Sequence, residues 1–120
     1  KEIRTPDKIV PVDRERIEQA VLNLLLNALD VTPEGKPIVI AIGREAEYVT
    51  VEIRDAGPGI PPDQVDEIFK AFRTSKPLGT GLGLPMTRRI VEEHKGIIRV
   101  SANHPVGAVF TLLLPRQAGE

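Results

Sequence analysis

From Asp13 to about Asp30 the chain is rich in Leu, Val and Ala, and its polar residues Gln19, Asn23, Asn27 and Asp30 recur at spacings of four, four and three. That period belongs to one face of an α-helix, so the segment predicts a helix with a single polar stripe along an apolar cylinder. Asp13 is placed to cap it, and Glu15 falls in the first turn near the positive end of the helix dipole. Thr32-Pro33-Glu34-Gly35 turns the chain. Two β-rich runs follow, Ile38 to Ile42 and Val49 to Asp55. In the second, Val49, Val51 and Ile53 alternate with Thr50, Glu52 and Arg54, which puts apolar side chains inward and polar ones outward. The pair reads as a hairpin. Residues 61–78 hold three prolines and a helical pattern only near Asp63 to Ala71, which predicts a mobile lid. A second helix is predicted after Gly83, with Pro85 tolerated in its first turn, running to Lys95 and ended by Gly96. Strands at Ile97 to Ala102 and Val109 to Leu114 close the chain. With a short strand around Ile9 to Val12, these elements predict an α+β fold, helices packed on one face of a mostly antiparallel sheet.

Composition narrows this picture. A chain of 120 residues, 41% apolar and 28% charged, is sized for one domain with one two-layer core, and no internal repeat or low-complexity linker divides it. The net charge of -1 supplies no general attraction to nucleic acid or anionic lipid, so neither partner is expected. Cysteine is absent, which excludes a disulfide framework and a thiolate metal site and permits a reducing compartment. No apolar run approaches the roughly 20 residues of a membrane span, and Lys1-Glu2-Ile3-Arg4 lacks a signal-peptide core, so the chain reads as soluble.

Three features carry chemistry. The polar stripe of the first helix could be an ordinary wet face, but such faces favour Glu, Lys and Arg. Asparagine is a poorer helix former that usually has a specific hydrogen-bonding reason to stand mid-helix. An amide oxygen can ligate Mg²⁺, which keeps several waters and takes further oxygens from substrate phosphates. Asn27 is the ligand candidate. Asp55 continues the inward phase of its strand, so its carboxylate is aimed at the core and needs donors. Backbone amides of the Gly57-Pro58-Gly59 turn could supply them, as could the exocyclic amine of an adenine. Gly79, Gly81 and Gly83 stand just before a helix, where unhindered amides and the helix dipole can receive phosphate oxygens. Their spacing is neither a dinucleotide fingerprint nor a P-loop. Arg73 and Lys76, just upstream, are cations within reach of terminal phosphates.

In this order the motifs resemble the catalytic and ATP-binding domain of sensor histidine kinases, within the superfamily that includes gyrase, the heat-shock chaperone ATPase and the mismatch-repair ATPases. Asn23 to Asn27 is similar to that family's asparagine box, Asp55 to Ile60 to its first glycine box, Phe69 with Phe72 to its phenylalanine box, and Gly79 to Leu84 to its second glycine box. The likeness runs from Asp13 to the terminal strand at Phe110 to Pro115. It implies a two-layer sandwich, a mixed five-stranded sheet against three helices, across the whole of residues 1–120, with a flexible lead-in at 1–7 and the ATP lid at 61–78. It further implies that Mg²⁺-ATP is held by Asn23, Asn27, Asp30, Asp55, Gly57, Gly59, Ile60, Phe69, Arg73, Lys76, Gly79, Thr80, Gly81, Leu82, Gly83 and Leu84. Arg73 and Lys76 would neutralise phosphate charge. The implied reaction is transfer of the γ-phosphate to a histidine on a separate dimerisation domain, with a response regulator downstream. The implied setting is a monomeric, cytoplasmic domain whose parent is free to be membrane-bound.

This chain departs from the family at two positions. Gly107-Ala108 stands where a hydroxyl residue often follows the glycine, leaving water or Thr111 to back up Asp55. Asp30 stands where many members carry a basic residue that helps hold phosphate. Lys1-Glu2-Ile3-Arg4-Thr5-Pro6 looks like a phosphoacceptor motif with lysine for histidine, but the first helix begins too soon after it for an acceptor hairpin. His94, at a helix end, and His104, in a turn, suit surface or capping roles. Two other functions fit the same boxes: an ATP-hydrolysing domain of the gyrase or mismatch-repair kind, and a non-catalytic nucleotide-binding module. Hydrolytic relatives place Glu at the first position of the asparagine box to activate water, whereas this chain has Asn23, whose amide cannot take the proton.

Overall fold

The computed structural model describes residues 2–5, 8–11, 13–69 and 83–115. Strands β1 (Glu2–Thr5) and β2 (Lys8–Pro11) pair antiparallel with each other. Helix α1 (Arg14–Val31) follows, then β3 (Val39–Glu45) and β4 (Tyr48–Arg54), helix α2 (Gly83–Glu93), β5 (Ile97–Ala102) and β6 (Ala108–Pro115). Short 3₁₀ turns at Pro62–Gln64 and Glu67–Phe69 supply the further helical segment near residue 63. Among the described residues the main sheet has four strands in the order β3-β4-β6-β5, every pairing antiparallel. The expected mixed five-stranded sheet is not seen among the described residues. The strand at Lys8–Pro11 finds its partner in β1, which lies inside the stretch 1–7 read as a lead-in, and is not paired with the main sheet among the described residues.

The predicted N-cap of α1 forms. Asp13 Oδ1 accepts from the Arg16 N–H at 3.2 Å, and the Thr32 N–H closes α1 on Ala28 O at 3.0 Å. Helix α2 ends two residues earlier than its pattern suggested. Lys95 takes the left-handed conformation (φ 63°), Gly96 N–H bonds Val91 O at 2.9 Å and Lys95 N–H bonds Glu92 O at 3.0 Å, the two bonds of a Schellman motif. Gly96 is needed for space: a Cβ there would lie 2.5 Å from Leu113 O.

The core lies between the helices and one sheet face. Ala20, Leu24 and Ala28 from α1, with Ile90 and Val91 from α2, meet Ile53, Ala108, Phe110 and Leu112 of the sheet, all buried. On β6 this is the period-2 inward set; Val109, Thr111 and Leu113, of the opposite phase, are buried as well. Helix α1 carries more leucine than its core face can use. Leu22, Leu26 and Leu29 are about half exposed or more.

Candidate functional site

The sheet, α1 and α2 converge where β4 ends. Asp55, the first residue past β4, is only 2% exposed. Register explains its position: Arg54 pairs with Val109, and Asp55 N–H then bonds Ala108 O at 3.0 Å, which extends the ladder by one residue and keeps the side chain in the inward phase of Ile53. Its Oδ1 accepts from Gly57 N–H and from Ala108 N–H, both at 3.0 Å. Among the described residues, both donors found on this carboxylate reach the same oxygen. The turn-amide expectation therefore holds for Oδ1.

The surrounding glycines are required by space. Gly107 adopts φ +107°, and a Cβ on it would lie 2.1 Å from Asp55 O. A Cβ on Gly57 would meet Val31 at 2.8 Å, because α1 ends directly behind the turn. Asn103 Nδ2 donates to Asp55 O at 2.9 Å, and Thr32 Oγ1 accepts from Ala56 N–H at 3.2 Å. Neither residue was singled out by its sequence context. The glycine before β6 was the one visible signal that the backbone comes close there. Thr111 does not substitute for the hydroxyl missing at Ala108. It pairs with Glu52 and Arg99 in the outward phase of β6, on the other side of the sheet from Asp55.

On α1 the polar stripe is partly enclosed. Asn23 and Asn27 are half-buried, whereas Gln19 and Asp30 are exposed. Asn23 Oδ1 accepts from Gln19 Nε2 at 2.8 Å, and Asn23 Nδ2 donates to Gly83 O at 3.3 Å. Asn23 thus faces the opening turn of α2. Thr87 Oγ1 also donates to Gly83 O, at 2.8 Å, so this first carbonyl of α2 is held by two side chains. Gly83 itself is open, with nothing within 4 Å of a Cβ. Ile60, Phe69 and Leu84 pack against the core rim. The Arg88 guanidinium lies 5.3 Å from the Phe69 ring centroid, tying the end of the second 3₁₀ turn to α2. Arg73, Lys76, Gly79, Thr80, Gly81 and Leu82 lie outside the described residues, as does the lid over 70–78.

No group of three or more His, Cys, Asp or Glu side chains able to hold a metal is found among the described residues. A hard cation such as Mg²⁺ takes oxygen ligands and completes its shell with phosphate and water, so an amide oxygen is a chemically suitable donor. Asn27, half-buried and one helical turn from Asn23, carries an oxygen of that kind and is itself engaged within the structure. Of the surface and capping roles expected of His94, the structure shows the capping one: the residue is 4% exposed, with Nδ1 against Ile90 O in the last turn of α2 and Nε2 accepting from Asp13 N–H. His104 is exposed, as expected of a turn residue.

Comparison with known proteins gives a consistent answer. The profile of the histidine kinase-, DNA gyrase B- and HSP90-like ATPases matches residues 12–118. Sensor histidine kinase ZraS of Escherichia coli is 39% identical over 106 residues, 88% of this chain and 23% of its own length. Among solved structures, the mycobacterial sensor histidine kinase MprB superposes with a TM-score of 0.81 at 33% identity, covering 91% of this chain and 76% of that one. The catalytic domain of histidine kinase ThkA does so at 0.79 and 37%, covering 96% and 76%. The chain spans about a quarter of the length of the curated relatives it matches.

Proposed function

The chain belongs to the family of histidine kinase-, DNA gyrase B- and HSP90-like ATPases, and we propose that it is the ATP-binding, catalytic part of a protein-histidine kinase. In this reading it binds Mg²⁺-ATP and presents the γ-phosphate to a histidine on a dimerisation domain of the same or a sister chain, which then supplies a response regulator. The sensor kinase relatives support that direction. Asp55 receives the adenine amine on Oδ2, since Oδ1 is taken by two backbone amides. Gly57, Gly59 and Ile60 line the base, and Phe69 closes its edge. Asn27 ligates Mg²⁺, which when bound neutralises phosphate charge. The amides at Gly79 to Leu84 and the cations Arg73 and Lys76 receive the phosphates as the 61–78 segment closes. Asp30, an anion near those phosphates, leaves more of the charge to Lys76. The chain contributes positioning and charge complementarity to the transfer and supplies no general base. The domain works in the cytoplasm, as a monomer when isolated.

The observation that carries kinase over hydrolase is the state of Asn23. The side chain at the position where hydrolytic relatives carry a base is an amide, its oxygen occupied by Gln19 and its nitrogen donated to Gly83 O. Such a group orients neighbours and cannot deprotonate water. The test is to incubate the domain with labelled Mg²⁺-ATP, with and without an acceptor hairpin. Acid-labile, base-stable phosphate on the hairpin and only trace hydrolysis without it are expected. Robust multiple-turnover hydrolysis in the absence of acceptor would move the assignment to the ATPases, and tight binding with neither reaction would move it to a non-catalytic module.

A further inference from the structure

Among the described residues, helices α1 and α2 are tied to each other near both ends of α2. At the site end, Asn23 Nδ2 donates to Gly83 O at 3.3 Å. At the far end stands His94, the residue that closes α2. Its Nδ1 lies 2.8 Å from Ile90 O. A carbonyl can only accept, so Nδ1 carries the proton, and Nε2 accepts from the backbone N–H of Asp13 at 3.0 Å. Asp13 is the cap of α1. The charged groups beside this contact are the Asp13 carboxylate, engaged with Arg16 N–H, and the Arg16–Glu93 ion pair, in which both side chains are almost half exposed. An ion pair so exposed is screened and holds little. The buried histidine is the stronger tie.

The two ties match in length. Ten residues of α1 separate Asp13 from Asn23 and eleven residues of α2 separate Gly83 from His94, about 15 and 16.5 Å at 1.5 Å per residue. The helices therefore run antiparallel with one tie at each end, and the far tie sets how α1 sits along α2. At 3.3 Å the near tie is already long for an N–H···O bond, so a slide of a few tenths of an ångström would loosen it.

We propose that His94 is a positioning residue for the nucleotide site: through the Asp13 N–H it sets the axial register of α1 against α2, and with it the placement of Asn23 and Asn27 against the amides that open α2. This rests on the ATP-binding reading above. A histidine that merely fills core space would support stability alone; one that sets register couples to nucleotide, and coupling is reciprocal.

Two substitutions separate these roles. His94→Gln keeps an oxygen at about the reach of Nε2 and can still accept from Asp13 N–H. His94→Asn keeps a donor for Ile90 O but is too short for Asp13. Mg²⁺-ATP affinity is measured by calorimetry at a temperature where circular dichroism shows every variant folded. We expect His94→Asn to weaken binding about 3- to 10-fold, His94→Gln to stay near the parent, and His94→Asn to add nothing once Asn23→Ala is present. In the unsubstituted chain, hydrogen exchange at the Asp13 amide should slow when Mg²⁺-ATP binds at the other end of the helix pair, a readout that needs no variant to fold. Parent-like affinity in His94→Asn, the same loss in the Asn23→Ala background, or unchanged Asp13 exchange would each overturn the proposal while the ATP reading stands. A parent chain that does not bind Mg²⁺-ATP would remove the ATP reading itself.

Discussion

Replacing Asp55 by asparagine separates its two jobs. In the folded chain Oδ1 accepts two backbone N–H groups at 3.0 Å in a site 2% exposed. An asparagine that places its oxygen there keeps both bonds, now neutral instead of charge-assisted, at a cost of about 1 kcal/mol each. Its NH₂ then replaces Oδ2 and turns a donor toward the adenine amine, itself a donor. An unsatisfied buried polar group costs about 1–3 kcal/mol, so ATP affinity should fall about 5- to 150-fold while the domain stays folded. Base selectivity sharpens the test. The 6-oxo group of inosine triphosphate is an acceptor, which the carboxylate repels and the amide welcomes, so Asp55→Asn should raise the ratio of inosine to adenosine triphosphate affinity. Asp55→Ala serves as the contrast: it abandons both buried N–H groups and should cost about 2–6 kcal/mol of folding stability, a large share of the roughly 5–15 kcal/mol of an ordinary domain. Calorimetric titrations with both nucleotides, alongside urea unfolding, read all three quantities. Unchanged ATP affinity in Asp55→Asn, or equal losses for both bases, would refute the assignment of Oδ2 to the base.

Asn27→Ala should weaken ATP binding far more with Mg²⁺ than without it, because it removes an inner-shell oxygen; titrations with and without the metal decide, and equal losses would sink the ligand role. Gly107→Ala should unfold the domain or lower its melting temperature by many degrees, since the new Cβ would lie 2.1 Å from Asp55 O at φ +107°, and a melting curve like the parent's would contradict that geometry. The unsubstituted domain should hydrolyse Mg²⁺-ATP only at a trace rate when no acceptor is present, and a steady-state phosphate-release assay showing robust turnover would contradict the kinase reading.

What the amino-acid pattern revealed was local. The N-cap of α1, the alternation of β4, the break at Gly96 and the inward phase of Asp55 all follow from residues within a turn or two of one another, and each appears in the structure within a residue or two of its expected place. The leucine-rich α1 shows where local pattern stops. Leu24 is buried while Leu22, Leu26 and Leu29 are exposed, and no hydropathy count distinguishes them. That Asn23 faces the start of α2 emerges from the structure. The fifth strand of the expected sheet is not found among the described residues for a related reason: Lys8–Pro11 has strand character, but its partner is chosen by proximity, and it pairs with β1, three to nine residues away in register.

The contacts that complete the site were hidden because their partners are far apart in the chain. Asn103 meets Asp55 across 48 residues, Thr32 meets Ala56 across 24, and His94 meets Asp13 across 81. Each depends on the antiparallel pairing of β4 with β6 or on the packing of α1 beside α2, and so on the fold as a whole. The glycines are the exception, because a missing side chain is a local fact with a long-range cause: Gly107 is readable as a close approach even though Asp55, the group it approaches, stands 52 positions earlier. The same logic explains why the boxes could be recognised while the geometry between them could not. Motifs record which groups touch a shared ligand, and a ligand leaves its mark on every segment that contacts it. A histidine that only aligns two helices touches no ligand, so its residue type carries no such mark, and its part in the site becomes visible only when both of its ring partners are seen together.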